Sequence, residues 1–333
     1  LEGSDRGLIA HYKFDGDLTD SSGNNNHLEA VVGGHTYPDG VYDEAVLFAS
    51  NNTTQLRTIN NFQQITHNTS FSVSTWVKLT NNNTNFIFAW GNNSSGASVG
   101  LNVKSTGVIQ NYTWAGANLE TTNTFTDTSR YYFIVLTRTA GSQKIYVDGV
   151  LENSFTNTDT FDTGTSKLHI GYTNHQAHYS ANYLDDFRIY DRVLSATEVE
   201  KLYYAKYIQK GSISNSTDEY IAFKYNPATA VSGQTEYTIN FPEDTECDIL
   251  IVGGGGGGGT VETTATSAAG AGGGGGGVIF LENQTVSAGT YTIKVGNGGK
   301  GDLHGDSTRT TGQSGYDSSF SYLQTKAIGG GGG

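Results

Sequence analysis

From Gly7 to about Tyr207 the chain is a succession of short runs in which apolar and polar residues alternate. LIAHYKF, SFSVSTWVKL, NFIFAW, SVGLNV, YYFIVLTRT, QKIYVDG, SKLHIGY and DDFRIYD all carry β-branched and aromatic residues at period two. That is the spacing at which successive side chains of a strand fall on opposite faces. Clusters of Asn, Gly, Ser and Asp separate the runs, and no helical pattern intervenes, so the region is expected to be an antiparallel sandwich. KIYVDGVLENS reads as a hairpin in which Asp148 and Gly149 supply the positive φ angles of a tight primed turn. One helix is expected, in RVLSATEVEKLYYAKY, with Ser195 as N-cap and Glu198 at capping-box spacing.

A polar segment without periodicity, QKGSISNST, follows this helix. Beyond it EYIAFKYN, TEYTINF, CDILIV, GVIFLE and GTYTIKVG read as strands interleaved with glycine runs, and most of the 45 glycines lie past residue 205. The composition shift divides the chain into a first domain at 7–207, a linker at 208–217 and a glycine-rich domain at 218–333. The first run, Gly253–Gly259, directly follows Ile249, Leu250, Ile251 and Val252. Four consecutive apolar residues are expected of a strand buried on both faces, which a flexible linker does not need.

Charge and cysteine usage narrow the function. With 19 Lys plus Arg against 32 Asp plus Glu, the net charge is −13 and no basic stripe exists to neutralise phosphates, so nucleic acid is not an expected partner. Cations and neutral polymers suit an acidic surface better. The lone Cys247 excludes an intrachain disulfide. No window approaches the roughly 18 apolar residues of a membrane span, so membrane insertion is not expected. The chain has no Met, opens on LEGS and stops inside a glycine run; it reads as a fragment whose glycine-rich domain continues in the natural protein.

Five segments of the first domain, GLIAHYKFDGDLTDSSGNNNHL, SFSVSTWVKL, KIYVDGVLENS, LHIGYT and LDDFRIYDRVLSATEVEKLY, resemble in order and spacing the laminin-G-like, concanavalin A-like jelly-roll family. The resemblance implies an all-β fold of two facing antiparallel sheets, and often a bound Ca²⁺. Calcium takes six to eight oxygen ligands, and the turn FDGDLTDSSGNNN offers Asp15, Asp17, Asp20 and Asn24. The resemblance adds Asp185, at the head of the last strand, with Asp20 and Asp185 as the favoured side-chain ligands. The competing reading makes these residues Asx-turn formers that bond their own backbone.

Members of the family often bind carbohydrate at the rim or the concave face. Three stretches here carry the aromatic and amide groups that such contacts use: the strand end at Trp90, the segment around Trp114, and the loop holding Tyr172, Asn174, His175, His178, Tyr179 and Tyr183. A Trp that ends a strand can equally belong to the core, as is expected of Trp76. His175 and His178 are spaced three apart with no third ligand nearby, a weak metal pattern. The paired carboxylates of a glycosidase, in a motif such as Glu-x-Asp-x-x-Glu, do not occur, and neither does a Gly-x-Ser-x-Gly elbow. Catalysis is therefore not expected.

The order CDILIVGGGGGGG, GAGGGGGGVIFLENQTVSAGTYTIKVGNGGKG, GYDSSF and AIGGGGG resembles the glycine-rich domain of phage and viral tail or fibre proteins, and more loosely the glycine-rich extracellular region of anaplastic lymphoma kinase. Polyglycine can form a left-handed helix of the polyproline II type with three residues per turn, and several such helices can bond side by side. A phosphate-binding loop is dismissed, because Thr260 follows the first run without the Lys that such a loop requires.

The leading expectation is a non-enzymatic attachment protein on a virion or outside the cell, binding a host-surface polysaccharide or glycoprotein. The alternative is a structural protein of a virion, fibre or matrix, with homo-oligomer or fibre partners and calcium serving stability.

Overall fold

The computed structural model describes residues 5–48, 54–62, 65, 69–91, 98–113, 118–139, 141–156, 166–173, 178–212, 219–259, 270–301 and 312–333. The chain divides into two compact units, Leu1–Lys206 and Tyr207–Gly333.

The first unit is a sandwich of two antiparallel sheets. Val150–Phe155, Gln143–Val147, Tyr132–Arg138, Phe71–Leu79, Asn182–Tyr190, Val46–Phe48 and His35–Thr36 pair in that order, and Leu8–Tyr12 also pairs with Asn182–Tyr190, giving eight strands. The facing sheet has seven, in the order Leu119–Glu120, Ile109–Thr113, Ser98–Val103, Asn85–Gly91, Leu168–Ile170, Gln55–Thr58 and Leu28–Val32. The alternation seen in sequence sorts their side chains. Val99, Leu101 and Val103 enter the core with Ile134, Leu136, Ile145 and Ile189, whereas Ser98, Gly100 and Asn102 take the outer face. Burying each such aliphatic side chain contributes about 1.5–3 kcal/mol, so this layer dominates the unit's stability.

A second cluster lies on the outer face of the eight-stranded sheet. Val199 and Leu202 of the helix Ala196–Tyr204 cover Trp76, Phe133, Val135 and Tyr190 there. The helix starts as expected. Ser195 Oγ accepts from the Glu198 N–H, and the Ser195 N–H donates to Glu198 Oε2 at 2.8 Å. The hairpin also forms as expected, with φ of 52° at Asp148 and 83° at Gly149.

In the second unit Ile208–Ser212 pairs with Glu219–Phe223, so the expected linker begins instead with a strand. The pairing depends on a partner that the polar composition of the segment does not reveal; residues 213–218 lie outside the described residues. Gln234–Phe241, Gly289–Gly296, Ser318–Phe320 and Lys326–Ala327 form a four-stranded sheet, while Thr245–Val252 pairs with Val278–Val286 in a separate two-stranded sheet. The expectation that Ile249 to Val252 is buried on both faces fails. Ile249 and Ile251 are each 8 % exposed, but Leu250 is 64 % and Val252 51 % exposed, because among the described residues no layer covers one face of this two-stranded sheet.

The glycine runs are packed against one another, not extended as a linker. The N–H groups of Gly253, Gly256 and Gly259 donate to the carbonyls of Gly277, Gly274 and Ala271, while those of Gly254 and Gly257 donate to Tyr316 and Gln313. Gly274 and Gly277 donate in turn to Gly331 and Ile328. Bonded partners recur at every third residue. The close approach demands glycine: a Cβ at Gly256 would overlap the backbone of Gly331, and one at Gly254 the carbonyl of Asn297.

Candidate functional site

The outer face of the seven-stranded sheet brings together groups that are scattered in sequence. Register places Gly100 opposite Tyr112 and Asn102 opposite Gln110, and on the other side Ala89 opposite both Gly100 and His169. Because Gly100 has no side chain, the Tyr112 ring lies across it; a Cβ there would overlap the ring. Phe86 meets Tyr112 edge-on, with ring centroids 5.8 Å apart. Beside this ring Gln110 Nε2 donates to Glu120 Oε1 at 2.6 Å, and Lys104 Nζ reaches the same oxygen at 3.0 Å. Asn102 Oδ1 is buried without a hydrogen-bond partner among the described residues.

Across Ala89 the face continues with His169, whose Nδ1 lies 3.0 Å from Gln55 Nε2 and whose ring is 5.8 Å from that of Tyr172. Its far flank holds Glu29, which accepts from Arg57 Nε at 2.8 Å and Lys167 Nζ at 3.1 Å. These two bonds, that of Arg57 first, hold the Glu29 carboxyl below its usual range. On this face the Tyr112 ring and Gln110 are half-buried beside the Glu120 and Glu29 ion pairs, whereas Asn102 and His169 are buried.

The residues expected to bind carbohydrate disperse. Trp90 is 1 % exposed and packs edge-on against Phe62 at 4.9 Å and Phe71 at 6.1 Å, so it belongs to the core. Its strand, Asn85–Gly91, is buried along its whole length, which removes the distinction between ligand and core that strand-end position suggested. Tyr172 joins the outer face just described. Its strand Tyr172–Thr173 pairs with His178–Tyr179; nothing is described of the side chains of His178 and Tyr179. Tyr183 falls on the other sheet, where Lys78 Nζ stands 5.1 Å over its ring and Tyr131 meets it edge-on. Trp114, Asn174 and His175 lie outside the described residues.

The five expected calcium ligands do not converge either. Among the described residues no three His, Cys, Asp or Glu side chains form a group able to hold a metal ion. Asp20 is used by its own loop: Oδ1 accepts from the N–H groups of His11 and Ser22, and Oδ2 from Ser22 Oγ and the Asn26 N–H, all at 2.8–2.9 Å. Asp17 closes an Asx turn on Thr19, and Asn24 donates to the Leu8 carbonyl and to Ser22 Oγ. These three therefore satisfy local turns.

Asp185 differs. It is 0 % exposed, and its Oδ2 accepts from the N–H groups of Val41 at 2.6 Å and Tyr42 at 2.9 Å, while Oδ1 is buried without a hydrogen-bond partner among the described residues. Burial above all, with the nearby charges of Asp186 and Asp15, outweighs those two bonds and pushes its pKa up to about 8. Asp15 accepts from the Glu44 N–H at 3.3 Å, and its pKa is raised by burial and by the charge of Asp43. A buried carboxylate oxygen without a donor, beside other acids, fits a hard cation that takes oxygen ligands.

Asp186 was not anticipated. It sits at a bulge with φ of 50°, bonded to His11 Nε2 at 2.7 Å and Arg188 Nε at 3.0 Å. Burial alone would raise its pKa, but Arg188 and His11 hold it below the usual range.

The architecture defines an all-β chain: a concanavalin A-like jelly-roll sandwich joined to a glycine-rich unit. Residues 48–200 match the Concanavalin A-like lectin/glucanases superfamily, and residues 229–333 match a family described as Glycine-rich domain. Among solved structures, domain 4 of a GH43 extracellular arabinanase from Geobacillus stearothermophilus is similar at 24 % identity and a TM-score of 0.50, covering 59 % of this chain and 98 % of that one. The binding domain of Paraclostridial Mosquitocidal Protein 1 is similar at 16 % identity and a TM-score of 0.53, covering 95 % of this chain and 76 % of that one. At these identities the likeness is one of fold. No curated protein sequence matches the chain.

Proposed function

We propose that the chain is a non-enzymatic attachment protein, acting outside the cell or on a virion, that binds carbohydrate on the outer face of the seven-stranded sheet. The observation that carries this reading is the half-buried Tyr112 ring packed over Gly100, with Gln110 and Glu120 nearby. A flat aromatic surface accepts the apolar face of a sugar ring, and the surrounding amides and carboxylate bond its hydroxyls. The arabinanase domain that shares the fold was solved with arabinotriose, which makes arabinose oligosaccharides a first probe class. Binding per site is weak, and attachment gains strength from several sites acting together.

Calcium belongs to the same proposal as a structural ion. Asp185 would hold it through the oxygen left without a donor, with Asp15 among the charges that act on it, and the ion would neutralise a buried carboxylate. The three-residue hydrogen-bond period of the glycine runs supports helices of the polyproline II type, which would make that unit a stiff mount.

The test is a glycan array with the full chain and its Tyr112→Ala variant. Wild-type binding that Y112A weakens at least about tenfold, as loss of one stacking ring predicts, with melting unchanged, supports the proposal. Equal binding by both proteins overturns the site.

A further inference from the structure

The second unit exposes an apolar face for which nothing in the sandwich accounts. In the paired strands Thr245–Val252 and Val278–Val286, Leu250 stands opposite Phe280 and Val252 opposite Val278. All four point outward, at 64 %, 57 %, 51 % and 63 % exposure respectively. Together they present on the order of 450 Å² of surface, within the range of the largest patch on a soluble monomer, which is often functional.

The face continues past the strands as a floor without side chains. Counting in threes from Val278 reaches Gly275 and Gly272, where an added Cβ would meet nothing within 4 Å. Counting from Val252 reaches Gly255 and Gly258, where the nearest atoms stand at 3.7 and 3.3 Å. One end therefore carries apolar knobs and the other a flat glycine surface.

Charge follows the same axis. Glu246, Asp248 and Glu282 are exposed at the strand end, and Lys300 is exposed at the glycine end, in the run beside Gly255. Such a face complements itself. Turned about a two-fold axis near Val252, a second copy sets its Leu250 and Phe280 on the glycine floor of the first and brings its acidic end toward Lys300. Stacking in the same direction would instead oppose acid to acid, which a chain of net charge −13 disfavours.

We propose that this face is where two copies of the chain pair, isologously and antiparallel, with apolar knobs seated on polyglycine. A self-complementary patch closes as a dimer without leaving free copies of itself. The knobs alone supply roughly half of the about 800 Å² per partner of a standard interface, and the glycine floor adds to them. The inference is independent of carbohydrate binding, which resides on the other unit.

Sedimentation velocity of the full chain over a concentration series tests it. Wild type is expected to be dimeric at about tens of micromolar. L250E/F280E and, separately, G275E should weaken pairing at least a hundredfold. Neither site contributes to the unit's core, so melting at a concentration where wild type is monomeric, and Tyr112-dependent glycan binding, should stay unchanged. G275E alters only the floor, which separates loss of pairing from loss of the strands. Raised salt should weaken the dimer, and K300E should do the same. A wild-type monomer throughout the series, or a dimer that survives both variants, overturns the proposal, as does capture of a different macromolecule by this face with no self-association.

Discussion

The two units solve the same problem, a backbone that must be bonded and buried, with opposite materials. The sandwich spends its specificity on side chains: the alternation of strands such as Ser98–Val103 fills one interior, and Trp76 and Trp90 occupy fixed slots in two clusters. The second unit has a small side-chain cluster of its own around Ile249, Ile251, Val286 and Phe320, but its glycine runs pack without side chains. Its runs bond at every third residue and approach so closely that most positions admit no Cβ. Where a core has side chains, a substitution changes volume and the surroundings partly relax. Where the packing is backbone on backbone, there is no rotamer to turn.

The sharpest break of this comparison is Gly256→Ala. Its methyl would overlap the backbone of Gly331, and overpacking that side chains can absorb already costs about 1–3 kcal/mol. We expect the second unit to lose its cooperative melting transition in calorimetry while the sandwich transition stays in place. Gly275→Ala, one turn of the neighbouring run away in open space, should be neutral or stabilise by up to about 1 kcal/mol through the unfolded chain. If the two alanines behave alike, the glycines are a composition and not a packed lattice.

The next effect confines itself to the sandwich and to pH. Unfolded, Asp185 titrates near the ordinary carboxylate value of about 3.9; folded, its pKa is pushed up to about 8. Between these values the folded state keeps a proton that the unfolded state has lost. Stability in the absence of divalent cations therefore falls as pH rises from about 4 to about 8 and levels off above, by up to about 5 kcal/mol as an upper bound. Saturating calcium should remove the fall by favouring the ionised carboxylate, and Asp185→Asn should remove both the fall and the response to calcium. The glycine unit's transition should not follow this profile. A sandwich whose melting temperature is flat or rises over that range in a chelator would contradict the assignment.

The same contrast explains what could be read in advance. Period-two runs announced most long strands, and LDDFRIYDRVLSATEVEKLY announced both the Asp185 strand and the capped helix. Short strands such as Leu28–Val32 and Gln55–Thr58 are edge or near-edge elements, too short for alternation to show. Tyr112 over Gly100 had no local signal, because the two are brought together only by strand register. Trp90 was misplaced since a strand buried on both sides carries no mark of which face meets solvent. Leu250 and Val252 erred in the other direction: an apolar run states a preference for burial, and whether a second layer exists to satisfy it is decided elsewhere in the chain. The glycine runs were legible as a lattice only because a strand led into one of them; which run bonds to which was not.

The smallest predicted effect asks whether the sandwich depends on single local bonds, as a side-chain architecture should. Ser195→Ala removes the hydroxyl that accepts from the Glu198 N–H and leaves the Glu198 carboxylate, which also pairs with Arg192 at 2.7 Å, bonded to the Ser195 N–H. Loss of an N-cap costs about 1 kcal/mol. That loss should appear as a lower sandwich transition, because Val199 and Leu202 of the capped helix cover Trp76 and Phe133. The carboxyl of Glu198, held down to about 2 chiefly by Arg192, stays ionised throughout the range in which Asp185 titrates. The cost of Ser195→Ala should therefore be the same at pH 5 and pH 8, measured by urea denaturation, and the glycine unit should not register it. A cost that varies with pH would mean that the cap and the Asp185 pocket are coupled through the sheet they share, and that the sandwich is less divisible into local bonds than its side chains suggest.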